Sequence, residues 1–346
     1  MKIISIIGAR PQFIKHAPIE KALSDHFESI TIHTGQHYDE NMSTIFFNQL
    51  AITSPKYLLQ IGSGNHGAQT GKMMEVIEPI LLDEKPNAVL VYGDTNSTLA
   101  GALVASKLHI PVIHLEAGLR SFNKEMPEEI NRVLTDHISE ILFAPSDKAV
   151  KNLKNEGIEK NVFKTGDVMC DMIHLSKKSI SEPKDEDPFY YATIHRPYNT
   201  DDRSRLLDVL NSFQSLKYKV QFAIHPRTQN KMKEWEIERA DFNNIEFLDP
   251  VSYFDNISLL SHSEALITDS GGMQKEAYIL QKKCVTIRTE TEWVETLVGN
   301  WNTLVFDELD KIQELLNLEP NLHNDKLYGD GKASEQIVEI ILDCLK

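Results

Sequence analysis

The segment Ala265-Leu266-Ile267-Thr268-Asp269-Ser270-Gly271-Gly272-Met273-Gln274-Lys275-Glu276 decides how the rest of the chain is read. Its first four residues form a short apolar run of strand type. Ser270-Gly271-Gly272 then opens a helical stretch, so the chain passes from a buried strand into a helix through a turn without side-chain bulk. Such a turn exposes successive backbone N–H groups at a helix N-terminus, where unpaired donors and the macrodipole favour an anion such as a diphosphate. Glu276 follows one helical turn later, where a carboxylate can accept from the two hydroxyls of a ribose. Taken alone, the same residues also describe an ordinary strand-to-helix turn whose glycines relieve backbone crowding.

Outward from this segment the alternation of strand and helix repeats along the whole chain, the pattern of parallel α/β sheets. In the first half the predicted strands are Lys2 to Ile7, Ser29 to Thr34, Ala88 to Tyr92, Val112 to Leu115, Ile141 to Ala144 and Val162 to Thr165. In the second half they are Phe189 to Ile194, Val220 to Ile224, Ile245 to Leu248, Ala265 to Thr268, Cys284 to Ile287 and Thr303 to Phe306. The expected architecture is two Rossmann-like domains, residues 1–175 and 186–325, with residues 326–346 as a terminal helical segment. The charged, proline-bearing stretch from Ser176 to Pro188 reads as the linker. The last helix, about Ala333 to Leu345, follows Leu327-Tyr328-Gly329-Asp330-Gly331, a turn able to redirect the chain.

Composition agrees with two domains. The 346 residues exceed the size at which one core usually stops growing, which suggests units of about 170 residues. Hydrophobic content is 41% and charged content 25%, and no apolar run approaches the roughly 18 residues needed to span a bilayer. The opening Met1-Lys2-Ile3-Ile4-Ser5-Ile6-Ile7 is too short for a signal peptide and is interrupted by Gly8-Ala9-Arg10-Pro11, so it reads as a first buried strand. A formal net charge of −15 argues against nonspecific nucleic-acid binding, which needs clustered Lys and Arg. Cys170, Cys284 and Cys344 are odd in number and widely spaced, the usage of reduced cytoplasmic thiols without metal-ligand spacing.

Ligands of open α/β sheets sit beyond the carboxyl ends of the strands, and the unusual polar residues here fall at those positions. After the first strand come Arg10 and Lys15, two cations flanking a helix start whose Pro11 sits where proline costs least; a solvated basic turn and an anion site are both open readings. Asp94 and Glu116 each terminate a neighbouring apolar strand, and Pro127-Glu128-Glu129 brings further acid to a helix start nearby. Glu129 reads as a cap or dipole partner. Clustered acids repel unless they bind hydroxyls, pair with Arg120 or Arg132, or hold raised pKa values suited to proton transfer. In the second half, His195-Arg196 and His225-Pro226-Arg227 close two strands, either as satisfied core histidines or as donors to a diphosphate. No H-E-x-x-H or D-x-D-x-D-G pattern accompanies the acids, so neither a metal nor another cofactor is expected. Ser270 lacks a G-x-S-x-G elbow, which weighs against a serine hydrolase.

Taken in order, seven segments give the chain a family likeness: Gly8 to Lys15, His33-Thr34-Gly35-Gln36-His37, Tyr92-Gly93-Asp94-Thr95, His114 to Arg120, Pro127 to Arg132, Thr268 to Glu276 and Tyr328 to Gly331. Together they resemble the non-hydrolysing UDP-N-acetylglucosamine 2-epimerase family over nearly the whole length. The resemblance implies a GT-B fold, two Rossmann-like domains facing a cleft with the terminal helix returning to the first. It also implies a cytoplasmic homodimer supplying precursors of cell-surface polysaccharide. In the implied reaction UDP is eliminated across carbons 1 and 2 of the sugar to give a 2-acetamidoglycal, then added back with carbon 2 inverted. By motif, Asp94, Glu116, Glu128 and His195 fall on the family's catalytic positions. Arg10, Lys15, Ser270, Gly271, Gly272 and Glu276 fall on nucleotide-sugar contacts, and Gln36, His37 and Gln69 on a second nucleotide-sugar site; His225 and Arg288, at strand ends, are added as expected substrate-binding residues. Asp39 and Ala68 depart from the glutamine and arginine expected there. Thr291-Glu292-Trp293-Val294-Glu295 stands where Thr-Glu-Arg-Pro-Glu is usual. Gly8 to Lys15, Tyr38 to Ser43 and Thr291 to Glu295 are similar to the branch that acts on UDP-2,3-diacetamido-2,3-dideoxy-glucuronate. Because a buried carboxylate needs a cationic partner, Arg120, Arg196, Arg227 and Arg288 are the candidates for such a sugar acid. A GT-B glycosyltransferase shares the Ser-Gly-Gly turn and the ribose acid but gives no reason for the trio Asp94, Glu116 and Glu128.

Overall fold

Runs of Ile, Val and Leu bounded by Gly, Asn or Asp are strands buried on both faces. The computed structural model describes residues 1–36, 50, 52–177 and 187–346. Its first sheet holds β1 (Lys2–Ile7), β2 (Glu28–His33), β3 (Tyr57–Leu58), β4 (Ala88–Tyr92), β5 (Val112–Leu115), β6 (Ile141–Ala144) and β7 (Val162–Lys164). Its second holds β8 (Phe189–Thr193), β9 (Lys219–Ala223), β10 (Ile245–Leu248), β11 (Ala265–Thr268), β12 (Lys283–Ile287) and β13 (Asn302–Val305). Every strand predicted from sequence is present, with boundaries moved by a residue or two. Tyr57–Leu58 is an addition, a two-residue edge strand too short to carry a pattern.

All pairings are parallel, in the orders β3-β2-β1-β4-β5-β6-β7 and β10-β9-β8-β11-β12-β13. In each sheet the strand order reverses once, between β1 and β4 and between β8 and β11. Helices leaving in opposite directions at that point open a crevice at the carboxyl ends of the strands. Chain packing separates unit 1, Met1–His174 with Asp325–Lys346, from unit 2, Leu175–Asn324. The architecture is two parallel-sheet α/β units of the GT-B-like kind. Most of the stretch predicted as a linker lies outside the described residues.

Each unit has its own core. In unit 1, Ile4, Ile6, Ile32, Val89 and Val91 pack beneath Met73, Ile77 and Leu81 of the helix His66–Glu84. In unit 2, Ala192, Ile194, Phe222, Ile267 and Val285 pack with Leu206, Leu210 and Phe213 of the helix Arg203–Gln214. Full burial of each large aliphatic side chain contributes about 1.5–3 kcal/mol, which anchors the strand ends that carry polar residues. Among the described residues no helix is long and apolar enough to cross a membrane.

The last helix, Ala333–Cys344, packs on the helix Arg10–Ser24 and so belongs to unit 1. Its start is capped from a distance: Asp171 accepts from the backbone N–H of Ala333 (3.2 Å) and Ser334 (2.8 Å) and from the Ser334 hydroxyl. The Tyr328 carbonyl accepts from Asp167 N–H at 2.7 Å, a close approach possible because Gly166, at φ +81°, has no side chain there.

Gly118, just past β5, is a second such point. It sits at φ +80°, and a Cβ would collide with the Ala149 carbonyl of the helix Asp147–Asn155. Gly118→Ala is expected to lower unfolding free energy by about 1–3 kcal/mol or more, combining strain and collision. Urea denaturation checks this, and an unchanged midpoint would contradict the packing described.

Candidate functional site

In unit 1 the parallel register sets the acids side by side. Tyr92 pairs with Leu115, and the Gly93 N–H donates to the Leu115 carbonyl at 3.0 Å, so Asp94 and Glu116 leave adjacent strands at nearly the same level. Glu116 adopts the left-handed region, φ 68°, which a non-glycine residue holds only when its surroundings enforce it. Its carboxylate, 10% exposed, pairs with the Lys15 ammonium from the first helix. Gly93 keeps that carboxylate close, since a Cβ there would lie 3.3 Å from Glu116 Oε2.

Asp94 is half-buried and pairs with the Arg132 guanidinium of the helix Pro127–Ile138, while Asn131 Nδ2 donates to the Asp94 carbonyl at 2.9 Å. Withdrawal from water raises the Asp94 pKa above the ordinary carboxylate value. Arg132 and Lys15 oppose the rise, and the negative charges of Glu116 and Glu128 add to it. A carboxylate held in this way is suited to taking and returning a proton. Glu128 is half-buried at the start of the same helix. Glu129 is structural, as read from sequence: its carboxylate accepts from the Ser121 and Phe122 N–H groups, both at 2.9 Å, and lies 3.3 Å from Arg132 Nη1.

A buried triad supports this edge. His114 Nε2 faces the Gly93 carbonyl and Nδ1 faces Asp136 Oδ1, each at 2.7 Å, so the ring bridges the two. Burial alone would raise the Asp136 pKa; His114 and Arg120 more than offset it and hold it low. This corrects the expectation for Arg120. Its guanidinium is buried among Asp136 (2.7 Å), Glu156 (2.7 Å) and the Leu119 carbonyl (2.6 Å), and is committed to the fold rather than offered to a sugar acid. His114 and Asp136 were not singled out as site residues because their pairing is created by packing and has no local signature.

At the end of β1 the turn is closed by Gln12. Its Oε1 accepts from Gly8 N–H (2.7 Å) and Ala9 N–H (3.1 Å), and its Nε2 reaches the Tyr92 carbonyl at 2.8 Å. Two donors of that helix start are thereby spent internally, leaving Arg10 and Lys15 as its cationic contribution. A small recess bounded by Lys15, Glu116, Phe143, Pro145, Asp167 and Ile337 adjoins the Glu116 carboxylate. Gln36 and Gln69 lie in one buried network: Gln36 Oε1 accepts from Ser97 N–H (3.0 Å) and Gln69 Oε1 from Asn96 Nδ2 (2.8 Å). His37, the other residue expected with them, lies outside the described residues.

In unit 2, Thr193 and Thr268 are paired at the ends of β8 and β11, which brings His195 beside Asp269. Asp269 is fully buried and accepts from the backbone N–H groups of His195 (3.0 Å) and Arg196 (2.9 Å) and from Asn199 Nδ2 (3.1 Å). Its Oδ1 also lies 3.3 Å from His195 Nδ1, which orients the imidazole with Nε2 directed away from the acid. The His225 ring lies 5.2 Å from that of His195; its Nδ1 accepts from Arg227 N–H at 3.1 Å and so caps its own helix. Arg227 pairs with Asp201, and Arg288 with Glu292.

Ser270 precedes the helix Gly271–Ile279 without a capping bond from its side chain, and Glu276 lies buried in that helix. A Cβ at Gly272 would meet no atom within 4 Å, so the fold itself does not require glycine there. Among the described residues no cluster of His, Cys, Asp and Glu is arranged to hold a metal ion.

A family model described as UDP-N-acetylglucosamine 2-epimerase matches residues 21–342. The UDP-2,3-diacetamido-2,3-dideoxy-D-glucuronate 2-epimerase of Pseudomonas aeruginosa is 49% identical over 356 residues, covering 99% of each chain. A UDP-N-acetylglucosamine 2-epimerase homolog of Methanococcus maripaludis is 48% identical over 355 residues, again 99% of each. The crystal structure of Methanocaldococcus jannaschii UDP-GlcNAc 2-epimerase in complex with UDP-GlcNAc and UDP matches with a TM-score of 0.91 at 44% identity, over 99% of this chain and 100% of that one.

The raised Asp94 pKa carries a signed consequence for stability. A carboxyl that binds its proton more tightly when folded stabilises the fold fully below its unfolded pKa, and that contribution is lost as pH rises through the folded value. The melting temperature of Asp94→Asn relative to wild type should therefore increase as pH is raised from about 4 toward neutrality. A difference that stays flat with pH would show that the shift is absent.

Proposed function

We propose that this chain, which belongs to the UDP-N-acetylglucosamine 2-epimerase family, inverts carbon 2 of UDP-N-acetylglucosamine to give UDP-N-acetylmannosamine. The supporting observation is the pairing of Asp94 with Arg132 and of Glu116 with Lys15 at the level ends of β4 and β5. The carbon 2 proton of such a sugar is weakly acidic, so simple deprotonation is unfavourable. Elimination avoids the carbanion: a carboxylate takes the proton, the C–H electron pair becomes the carbon 1–carbon 2 double bond, and the carbon 1–oxygen pair departs with UDP. Re-addition to the glycal from the opposite protonation face reverses each step and inverts carbon 2. Asp94, Glu116 and Glu128 serve as the acid–base groups.

The leaving diphosphate calls for donors and cations. Unit 2 supplies candidates in Ser270, Gly271 and Gly272, with His195 oriented by Asp269, His225 and Arg288 as neutralising groups and Glu276 for the ribose. In unit 1, Arg10 and Lys15 are candidate nucleotide-sugar contacts. Glu116→Gln and Asp94→Asn are each expected to lower kcat at least about a hundredfold while UDP binding persists, as for loss of acid–base groups. Proton NMR in deuterated water with UDP-N-acetylglucosamine and no acceptor tests the reaction itself. Deuterium entering carbon 2 supports it, whereas a glycosyltransferase leaves that proton in place.

A second reading, the same chemistry on UDP-2,3-diacetamido-2,3-dideoxy-glucuronate, is favoured by one particular observation. The Pseudomonas relative named for that sugar is 49% identical over 99% of both chains. Running the NMR experiment with each nucleotide sugar decides between them, and Arg196 and Arg227 remain candidate partners for its carboxylate.

A cytoplasmic homodimer making precursors of cell-surface polysaccharide completes the proposal. The helix Pro127–Ile138 turns Glu129, Asn131, Arg132, Thr135 and Asp136 inward and leaves Ile130 and Leu134, one turn apart, 48% and 46% exposed. That inversion of the usual amphipathic order suits a face covered by the same helix of a second copy. The double variant Ile130→Glu, Leu134→Glu should run as a monomer in size-exclusion chromatography with light scattering. A wild-type monomer, or an unchanged dimer in the variant, would remove this face from the proposal.

A further inference from the structure

We propose that Glu292 is the resident anion of the diphosphate site, seated at the start of the helix Gly271–Ile279 in the free protein and setting the affinity for a nucleoside diphosphate. The proposal rests on reading Ser270-Gly271-Gly272 as that site.

Two observations converge on the helix start. A Cβ at Gly271 would collide with Glu292 Oε1, so the glycine makes room for this carboxylate where the macrodipole and exposed N–H groups favour negative charge. Arg288, only 5% exposed, lies 3.1 Å from Glu292 through Nη2. Its Nη1 is buried without a hydrogen-bond partner among the described residues, and it lies 3.6 Å from the position a Gly271 Cβ would take. A buried guanidinium donor left unfilled is costly, and here it is aimed at the helix start.

A diphosphate has more oxygens and more charge than one carboxylate, so it can fill both donors of Arg288 together with the helix N–H groups. Two anions cannot occupy that point, so the incoming diphosphate displaces the Glu292 side chain and takes over Arg288. The chain on either side of Glu292 is tied down. Thr291 Oγ1 donates to Gln274 Oε1 at 2.7 Å, and the Trp293 ring lies 4.0 Å beneath Lys275 Nζ while its carbonyl accepts from Thr296 Oγ1 at 2.7 Å. With its neighbours anchored, Glu292 yields by rotating its side chain.

Titration calorimetry of the full-length protein with UDP, and with uridine as the phosphate-free probe, tests this. Glu292→Gln should tighten UDP binding by about three- to tenfold and leave uridine unchanged. Glu292→Asp, which draws the carboxylate back by one methylene, should act in the same direction to a smaller extent and decides the matter if the Gln variant fails to fold. Arg288→Gln and Gly272→Ala should both weaken UDP. If those two weaken UDP while neither Glu292 variant tightens it, the turn binds diphosphate but Glu292 is not its resident anion. If Arg288→Gln and Gly272→Ala leave UDP affinity unchanged, the reading of the turn fails and the proposal with it.

Discussion

Concentrating carboxylates at neighbouring strand ends is the constraint on which unit 1 depends. Asp94, Glu116, Glu128 and Glu129 lie close enough that unscreened repulsion would open the sheet edge or drive their protonation. Three of them have different compensations. Lys15 reaches Glu116 from the first helix, Arg132 reaches Asp94 from the helix after β5, and loop N–H groups satisfy Glu129. The cations are themselves held from behind: Arg132 contacts Glu129, and Arg120 is spent on Asp136 and Glu156. Withdrawal from water, with the charges of Glu116 and Glu128 adding to it, still leaves Asp94 with a raised proton affinity against the pull of Arg132 and Lys15.

Unit 2 meets the converse constraint with the same geometry. Asp269, fully buried at the strand ends, accepts mainly from N–H donors and so fixes backbone and imidazole positions. The contrast between Asp94 and Asp269 illustrates how environment assigns roles to one residue type. Partial burial beside other acids favours titration, whereas complete burial within a ring of donors favours rigidity.

The alternation of apolar runs with helical stretches made both sheets legible in the sequence, because strands buried on both faces admit few substitutes for Ile, Val and Leu. The strand ends were legible for the same reason: a polar residue closing such a run must face ligand, solvent or a partner. The partner was not legible. Arg120 and Asp136 are sixteen positions apart and meet only because β5 and the helix Pro127–Ile138 pack together, so Arg120 read as an available cation. Gln12 looked like one residue of a basic turn, yet its amide spends the Gly8 and Ala9 donors there. Glu292 was visible only as part of a variant motif, and its seat over Gly271 emerges from three-dimensional proximity.

The segment Thr291 to Glu295, where the sequence departs from the usual motif, is anchored to the rest of unit 2. Gln274 anchors it through Thr291 and holds Asn302 at 3.0 Å, so the helix, the loop and β13 share one polar network. Trp293 instead packs under Lys275 and is almost wholly buried. A tryptophan in place of an arginine at this position removes a mobile cation and adds a rigid aromatic wall, while the buried lysine keeps positive charge behind the helix.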